Sequence, residues 1–573
     1  MNLVRFNEDS TLLLMFFPIM IESRNKYKIN YINLCVYLPN AGYVIKNERI
    51  DGKVVQTIQK YIGTADQVYD LIMEPKETRI ASYSFGKPAA LLKAAEEVGL
   101  IEAMNKYVDR KSMTGLTPAE YLLLIIIGRS EHALSRNVLE EYFKESLLKF
   151  FWNPKYKLSS QNFLNYMEKL DEETIHKIEI DVSRTLIKKG IRPTKLTFDT
   201  TNFYTHIEHG EDLPKKGFSK DKRYDKNLIG VGLTTSNNDI PFQTITYPAN
   251  VPDATLFSGL IDSICKRVEE IEIPLEEMTI VFDRGMNSTD NIEQVLDKMH
   301  VVGALPSSMC KDLFKTPLSE FEEEWENGKK NIFKAHRIKG VWYEKEFTGV
   351  IKHSETTKRK QIHEWETRKA VILKKIQEIR SKLNHNGKGR KTTAKGLMNR
   401  VVDIVPKQYR GLFDYNVIET EGKLRLDFSL NDTREKEFHF GMGKTVVFTD
   451  KEILTTKEIV EMYDSRNMIE EDIKWLKDKL LIPIKPVYAR KDVKIRAHVF
   501  LCVMGLLLHN YLLHLIDDSE LTIQKLSNNL AKIRMGLVHN RKGEKNAEFV
   551  IEEMNKETAE IFAKLQLVEY IPS

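Results

Sequence analysis

Residues 195–204 read KLTFDTTNFY, and how they are read decides the fold. Leu196 to Phe198 is a short run of apolar and β-branched residues, which predicts a buried strand whose end delivers Asp199. A second run of this kind lies downstream, where residues 278–288 read MTIVFDRGMNS and Asp283 follows Thr279 to Phe282. An aspartate after a buried strand is also a common way to open a turn or cap a helix, so neither residue is informative alone. Together they predict two carboxylates carried on rigid strand ends.

The neighbouring segments supply the rest of a sheet. NLIGVGLTTSN, then DIPFQTITYPAN after a turn at Asn237-Asn238, read as strands. A helix through Thr255 to Glu270, the strand before Asp283, a helix from Thr289 and the strand-like VVGALPSS follow. The order β-β-β-α-β-α-β is that of a ribonuclease H-like fold, an α/β arrangement with a mixed sheet and flanking helices. It predicts that the first and fourth strands lie side by side and bring Asp199 and Asp283 together.

A third carboxylate comes from residues 463–477, YDSRNMIEEDIKWLK. At about 100° per residue, Tyr463, Arg466, Glu470 and Lys477 fall within an arc of roughly 60° on one helix face. Met462, Ile469, Ile473, Leu476 and Leu480 form an adjoining apolar stripe suited to a core. Charged helices often carry such pairs as a solvated face, and it is the two upstream aspartates that set this one apart. Divalent magnesium or manganese takes oxygen ligands and keeps positions open for water and substrate. Asp199, Asp283 and Glu470 are therefore expected to hold two such ions against a phosphodiester, one activating the attacking oxygen and one stabilising the leaving oxygen. Arg466 would offer a planar fork to phosphate, Lys477 a point charge and Tyr463 a hydroxyl. Glu471 points about 100° away from Glu470 and is the weaker ligand candidate.

The order Asp199, Asp283, Glu470, with Tyr463, Arg466, Glu470 and Lys477 meeting the signature Y-(2)-R-(3)-E-(6)-K, resembles the DDE transposases of bacterial and archaeal insertion sequences. The DRG at Asp283, the GLVHNRKGE tail and the early segment YVIKNERIDGKVVQTIQKYIG resemble the branch with a long insertion before the glutamate. The resemblance spans roughly residues 43 to 545. It implies metal-dependent cleavage at element ends and strand transfer into target DNA, with two Mg²⁺ or Mn²⁺ ions. It also implies terminal inverted repeats and target DNA as partners, a homodimer on DNA, and a cytoplasmic, nucleoid-associated location. Tyr463, Arg466, Lys477 and Arg284 are the implied DNA or phosphate contacts, and the signature is associated with a hairpin intermediate. A ribonuclease H-like nuclease or junction resolvase would use the same carboxylates but would need neither an end-binding domain nor the signature.

The chain of 573 residues is long enough for several domains. Residues 1–42 read as an extension without an assigned role, 43–75 as a β-hairpin segment around Asp51-Gly52, and 76–190 as an N-terminal helical domain expected to bind DNA ends. Residues 191–310 read as the first part of the catalytic core. Glu470 follows Asp283 by 187 residues (470 − 283), too far for one connection, so 311–450 reads as a large insertion interrupting the core, and 451–573 as its second part. In the insertion, Lys352, Lys358, Arg359, Lys360, Lys388, Arg390, Lys391 and Lys395 are candidate phosphate contacts, and Trp365 is either an anchor or core.

Hydrophobic content of 42% and charged content of 29% describe a globular chain rather than a disordered one. A net charge of only +5 excludes a bulk polycation, so nucleic-acid contacts have to be local. Cys35, Cys265, Cys310 and Cys502 form no C-x-x-C pair, against a zinc site and consistent with a reducing compartment. The run LLLMFFPIMI at 12–21 is too short to span a bilayer and lacks the flanks of an export signal. VFLCVMGLLLHNYLLHLI at 499–516 approaches membrane-span length, but with His509 and His514 in it the expectation is a core helix with structural histidines and no membrane.

Overall fold

The alternating and helical periodicities become elements in a computed structural model. It describes residues 13–21, 28–37, 41–50, 53–63, 79–109, 115–131, 133–326, 331–383, 392–420, 423–478, 481–487, 489–539 and 547–572. The chain divides into two units, one of residues 1–83 with 534–553, the other of 84–533 with 554–572.

In the first unit, β1 (Leu13–Ile21), β2 (Lys28–Tyr37), β3 (Ala41–Ile50) and β4 (Lys53–Gly63) pair in that order as an antiparallel sheet. The expected hairpin is β3–β4, with Ile50 opposite Lys53; Asp51-Gly52 lie outside the described residues. β1 and β2 fall in the stretch expected as an extension, so it shares the sheet of the hairpin. β5 (Arg79–Ser84) follows.

The second unit opens with α1 (Gly86–Glu97), α2 (Leu100–Tyr107), α3 (Pro118–Ser130), α4 (Leu139–Lys144), α5 (Ser160–Met167) and α6 (Glu172–Lys188). Thr117 and Ser159 cap α3 and α5 through their side chains, and Pro118 sits in the first turn, where its missing N–H costs nothing. The strands β6 (Lys195–Thr205), β7 (Asn227–Thr235) and β8 (Pro241–Pro248) come next. After them run α7 (Asp253–Glu270), β9 (Thr279–Val281), α8 (Thr289–Leu296) and β10 (His300–Ala304), the anticipated order.

The remaining strands are β11 (Glu323–Glu326), β12 (Ile332–Trp342), β13 (Lys345–Ser354), β14 (Phe413–Thr420), β15 (Lys423–Leu430), β16 (Lys444–Thr449), β17 (Arg534–His539) and β18 (Ala547–Ile551). The remaining helices are α9 (Glu355–Lys382), α10 (Ala394–Ile404), α11 (Asp432–Phe440), α12 (Thr456–Asp464), α13 (Arg466–Trp475), α14 (Asp492–Ile516), α15 (Ile523–Lys532) and α16 (Lys556–Lys564). β18, β17 and β5 form a small sheet.

The central sheet is mixed α/β, in the order β11-β12-β13-β16-β10-β9-β6-β7-β8. β9 runs parallel to both β6 and β10, and the other pairs are antiparallel. One face buries Phe198, Ile280, Phe282, Val446 and Phe448 against α7, which contributes Phe257, and α8. α14 is long and apolar enough to cross a membrane, but its most apolar window is 83% buried inside the protein, where α1 and α3 pack on it.

Three features differ from the sequence expectation. Asp199 lies inside β6 rather than at its end, because pairing with β7 continues to Thr205 opposite Asn227. The helix at 463–477 is interrupted by a turn at Ser465, whose backbone keeps helical angles (φ −59°, ψ −18°) and whose hydroxyl donates to the Met462 carbonyl and accepts from Lys195 Nζ at 2.6 Å. α13 ends at Trp475, so Lys477 lies beyond it, and the four signature residues do not share one continuous helix face. Finally, the stretch expected as an insertion, 311–450, contributes β11, β12, β13 and β16 to the central sheet. Within it, residues 355–442 build a separate core of α9, α10 and β14–β15 around the fully buried Trp365, whose Nε1 donates to Glu435.

Candidate active site

Parallel pairing of β6 and β9 places Lys195 opposite Thr279 and Thr197 opposite Val281. Asp199 and Asp283 have the same sequence offset as these pairs, so extending the register by two residues puts them side by side on one face. Phe198 and Phe282, which precede the two aspartates, point the other way into the core with no exposure. Asp283 opens a 3₁₀ turn, Arg284–Met286, and Met286 N donates to its carbonyl at 3.0 Å.

α13 packs across β6 through Ile469, Ile473 and Leu476, all buried, and this turns Glu470 towards the aspartates. Arg466 binds two of the acids. Its Nη1 lies 2.9 Å from Glu470 Oε1 and 3.3 Å from Asp283 Oδ1, with the guanidinium 16% exposed and the two carboxylates 42% and 45%. Burial works against the Arg466 charge, but Tyr463 and the carboxylates Asp283, Glu470 and Asp199 outweigh it and hold its pKa above the usual value. Burial pushes the Asp199 carboxyl up and Glu470 adds to the shift; Lys220, the Thr200 amide at 2.7 Å from Oδ1 and Arg466 oppose it.

The other expected phosphate contacts have distinct surroundings. Tyr463 is buried beneath Arg466, its ring centroid 5.4 Å from the guanidinium carbon and its hydroxyl sealed from solvent. Burial raises its pKa, against the pull of Arg466 and Arg284. In this structure the tyrosine supports Arg466 from below. Lys477 Nζ pairs with Asp221 Oδ1 at 3.2 Å, and Lys485 takes the second oxygen of the same carboxylate at 3.0 Å. Lys352 is bound to Asp464, so it is not a free cation, and Lys388, Arg390 and Lys391 lie outside the described residues. Glu471 adds to the upward push on the Asp239 and Asp472 carboxyls, for which burial is the main cause.

Lys220, Asp221 and Lys485 were not anticipated as neighbours of the site. The signal for Lys220 and Asp221 was the alternation of basic and aromatic residues in PKKGFSKDKRYDK, residues 214–226. His509 accepts no role beyond the core: it is fully buried, bonds the Gly505 carbonyl, and burial holds its pKa down to about 4. His514, at the end of the same helix, meets the Asn238 amide at 3.3 Å.

As a donor set, Asp199, Asp283 and Glu470 suit hard divalent cations. All the donors are oxygens, two are half-exposed, and a cation already neutralises two of them. The set is open rather than a closed cage. Among the described residues, the group of carboxylate and histidine ligand atoms lying within 4.8 Å of one another is Glu366, Glu435 and His439, where Lys369 already pairs with both glutamates. An open set leaves room for a substrate oxygen to complete the coordination.

No curated protein matches this chain. A family model described as the transposase DDE domain matches residues 194–508, a span that begins just before Asp199 and takes in Asp283 and Glu470. That span is more than half of the chain, which belongs to the DDE transposase family.

Proposed function

We propose that this protein is the transposase of an insertion sequence of the Y-R-E-K branch, cutting DNA at the element ends and joining the exposed 3′ hydroxyls to target DNA. The observation that carries the reading is the joint geometry of the register that aligns Asp199 with Asp283 and the guanidinium of Arg466 that ties Asp283 to Glu470.

Asp199, Asp283 and Glu470 would hold two Mg²⁺ or Mn²⁺ ions. When bound, such ions activate the attacking oxygen and stabilise the leaving one. Arg466 keeps two like charges together in the free protein and would offer its Nη2 to the scissile phosphate. Tyr463 fixes the height of that guanidinium by packing under it. Arg284, beside the Tyr463 hydroxyl, adds positive charge where a phosphate would approach. Lys477 reaches the DNA strand next to the reacting phosphate by exchanging Asp221 for a phosphate oxygen. The helical domain of residues 76–190 would bind the element ends, and a homodimer would hold two ends together in the cytoplasm.

A strand-transfer assay tests the proposal. Duplex ending in the element's own terminal repeat, pre-cut to expose its 3′ hydroxyl, is incubated with plasmid and Mg²⁺ or Mn²⁺. Covalent joining by wild type, absent for Asp283→Asn, is the expected result. Metal-dependent cutting that ignores the repeat and joins nothing would instead identify a nuclease.

A further inference from the structure

The connection between β6 and β7 buries Ile207 and Leu213 but leaves two aromatic side chains in water. Phe218 is 75% exposed and Tyr224 60%, their ring centroids 6.3 Å apart at 62°. Exposed aromatics on a floppy loop would be unremarkable, but this loop is held at many points. Asn202, only 9% exposed on β6, donates to the Phe218 carbonyl at 2.8 Å and accepts from the Lys220 amide at 3.1 Å. Ser219 is 1% exposed, and its Oγ accepts from the Arg223 amide at 2.8 Å. Lys215 and Leu228 exchange two backbone hydrogen bonds. A Cβ on Gly217 would lie 2.2 Å from the Ala249 carbonyl oxygen, so the loop abuts that backbone and only glycine fits. The fold thus fixes the backbone under Phe218 while leaving its ring without a protein partner to bury it.

The surrounding charge is positive. Residues 214–226 contain six basic and two acidic side chains. Both acids are already engaged, Asp221 by Lys477 and Lys485, and Asp225 by Arg223. Lys216 and Lys222 are exposed. The loop also touches the candidate active site, since Lys220 Nζ binds the Thr200 carbonyl at 2.5 Å and acts on the charge of Asp199. Lys485 and Arg223 lie 4.2 Å and 4.8 Å from the centroid of Tyr204, which ties the base of the loop to β6.

A rigid, cation-rich platform with outward aromatic rings is how proteins hold unpaired nucleotides, because every base offers a π-face and every nucleotide a phosphate. We propose that residues 214–226 bind an unpaired stretch of the DNA strand adjoining the scissile phosphate, with bases stacked on Phe218 and Tyr224 and phosphates on Lys216, Lys220 and Lys222. The proposal rests on the transposase reading for the identity of the strand, and on the loop alone for its affinity for single strands. Its occupant is DNA rather than a protein, because the rings are set among lysines and the nearby acids are already neutralised within the chain.

The test uses the full-length protein in Ca²⁺ and measures the affinity of a fluorescent 12-nucleotide thymidine strand and of a blunt duplex of equal length by anisotropy. Phe218→Ala with Tyr224→Ala should weaken single-strand binding by about 10-fold or more, the scale of one lost base stack, with duplex binding changed less than about 2-fold. Phe218→Trp should restore most of the single-strand affinity. Both positions are exposed, so the thermal unfolding midpoint should stay within a degree of wild type. Wild-type affinity of the double variant for the thymidine strand would overturn the proposal, as would an equal loss for both DNAs. A change in oligomeric state with unchanged DNA binding would also overturn it and mark the rings as a contact between copies. Catalysis is not measured, so failure of the strand-transfer assay would leave this result standing, and the reverse holds as well.

Discussion

Arg466 holds together two carboxylates that would otherwise repel each other, and its burial makes the arrangement costly to lose. Both of its ion pairs run through one nitrogen, Nη1, while its Nε is buried without a partner, so Nη2 is the nitrogen left to meet a phosphate. Arg466→Lys keeps the charge and loses the planar geometry. Metal-dependent cleavage by that variant should fall about 10- to 100-fold, the equivalent of one or two charge-assisted hydrogen bonds, while gel-shift affinity for the DNA stays near wild type. Behind the site, burial pushes the Asp239 carboxyl up to about 6, and Glu471 adds to the shift while Lys195 opposes it. A raised folded-state pKa means that stability fully present below about pH 4 is lost as the pH rises through about 6. Asp239 is partly solvated, so the cost at neutral pH is discounted to about 1 kcal/mol. Asp239→Asn should therefore unfold at higher urea than wild type at pH 8, and the difference should close below about pH 4. Asn tolerates the left-handed backbone found at this position, φ 56°.

At the scale of elements, the outer edge of the central sheet is closed by a buried ion pair. Glu179 of α6 accepts from the Thr244 amide of β8 at 3.1 Å, and its other oxygen lies 2.6 Å from Arg267 of α7. Both side chains are at most 5% exposed, so removing one partner strands a charge in the core. Arg267→Ala should destabilise the protein by about 3–5 kcal/mol, and its urea midpoint should fall accordingly. A replacement of both partners by Glu179→Gln and Arg267→Met should recover much of the loss. The register of β6 and β9 was legible in the sequence because two short apolar runs each ended at an aspartate. The end of the signature helix at Trp475 was not, because just beyond it the Leu476 carbonyl accepts from the Ile484 amide at 2.9 Å, a partner outside the helix. Spacing alone cannot report a tertiary hydrogen bond, so Lys477 was placed on a face that α13 never reaches.

For the whole molecule, the alternation of strands and helices between residues 191 and 310 was enough to predict a mixed sheet. The sheet was nonetheless longer than that segment. KTVVFT at residues 444–449 reads as one more strand of an insertion, yet as β16 it lies between β10 and β13 in the middle of the central sheet. Strand order depends on pairings distant in sequence, and hydrophobic pattern carries no record of which edge a strand joins. The separate core around Trp365 was not read as a module either: α9 reads as a charged helix with few apolar positions, and Trp365 could be an anchor or core until β14 and β15 pack on it. The chemistry of the candidate site is carried by the acids and cations around β6 and β9. The direct measurement is therefore strand cleavage at the repeat boundary by wild type, Asp199→Asn, Asp283→Asn and Glu470→Gln, in Mg²⁺, Mn²⁺ or Ca²⁺, with DNA binding measured in parallel. Cleavage by wild type alone, in Mg²⁺ or Mn²⁺ and with binding retained by all three variants, is the predicted result. Full cleavage by any one of the variants would contradict a site built from these three carboxylates.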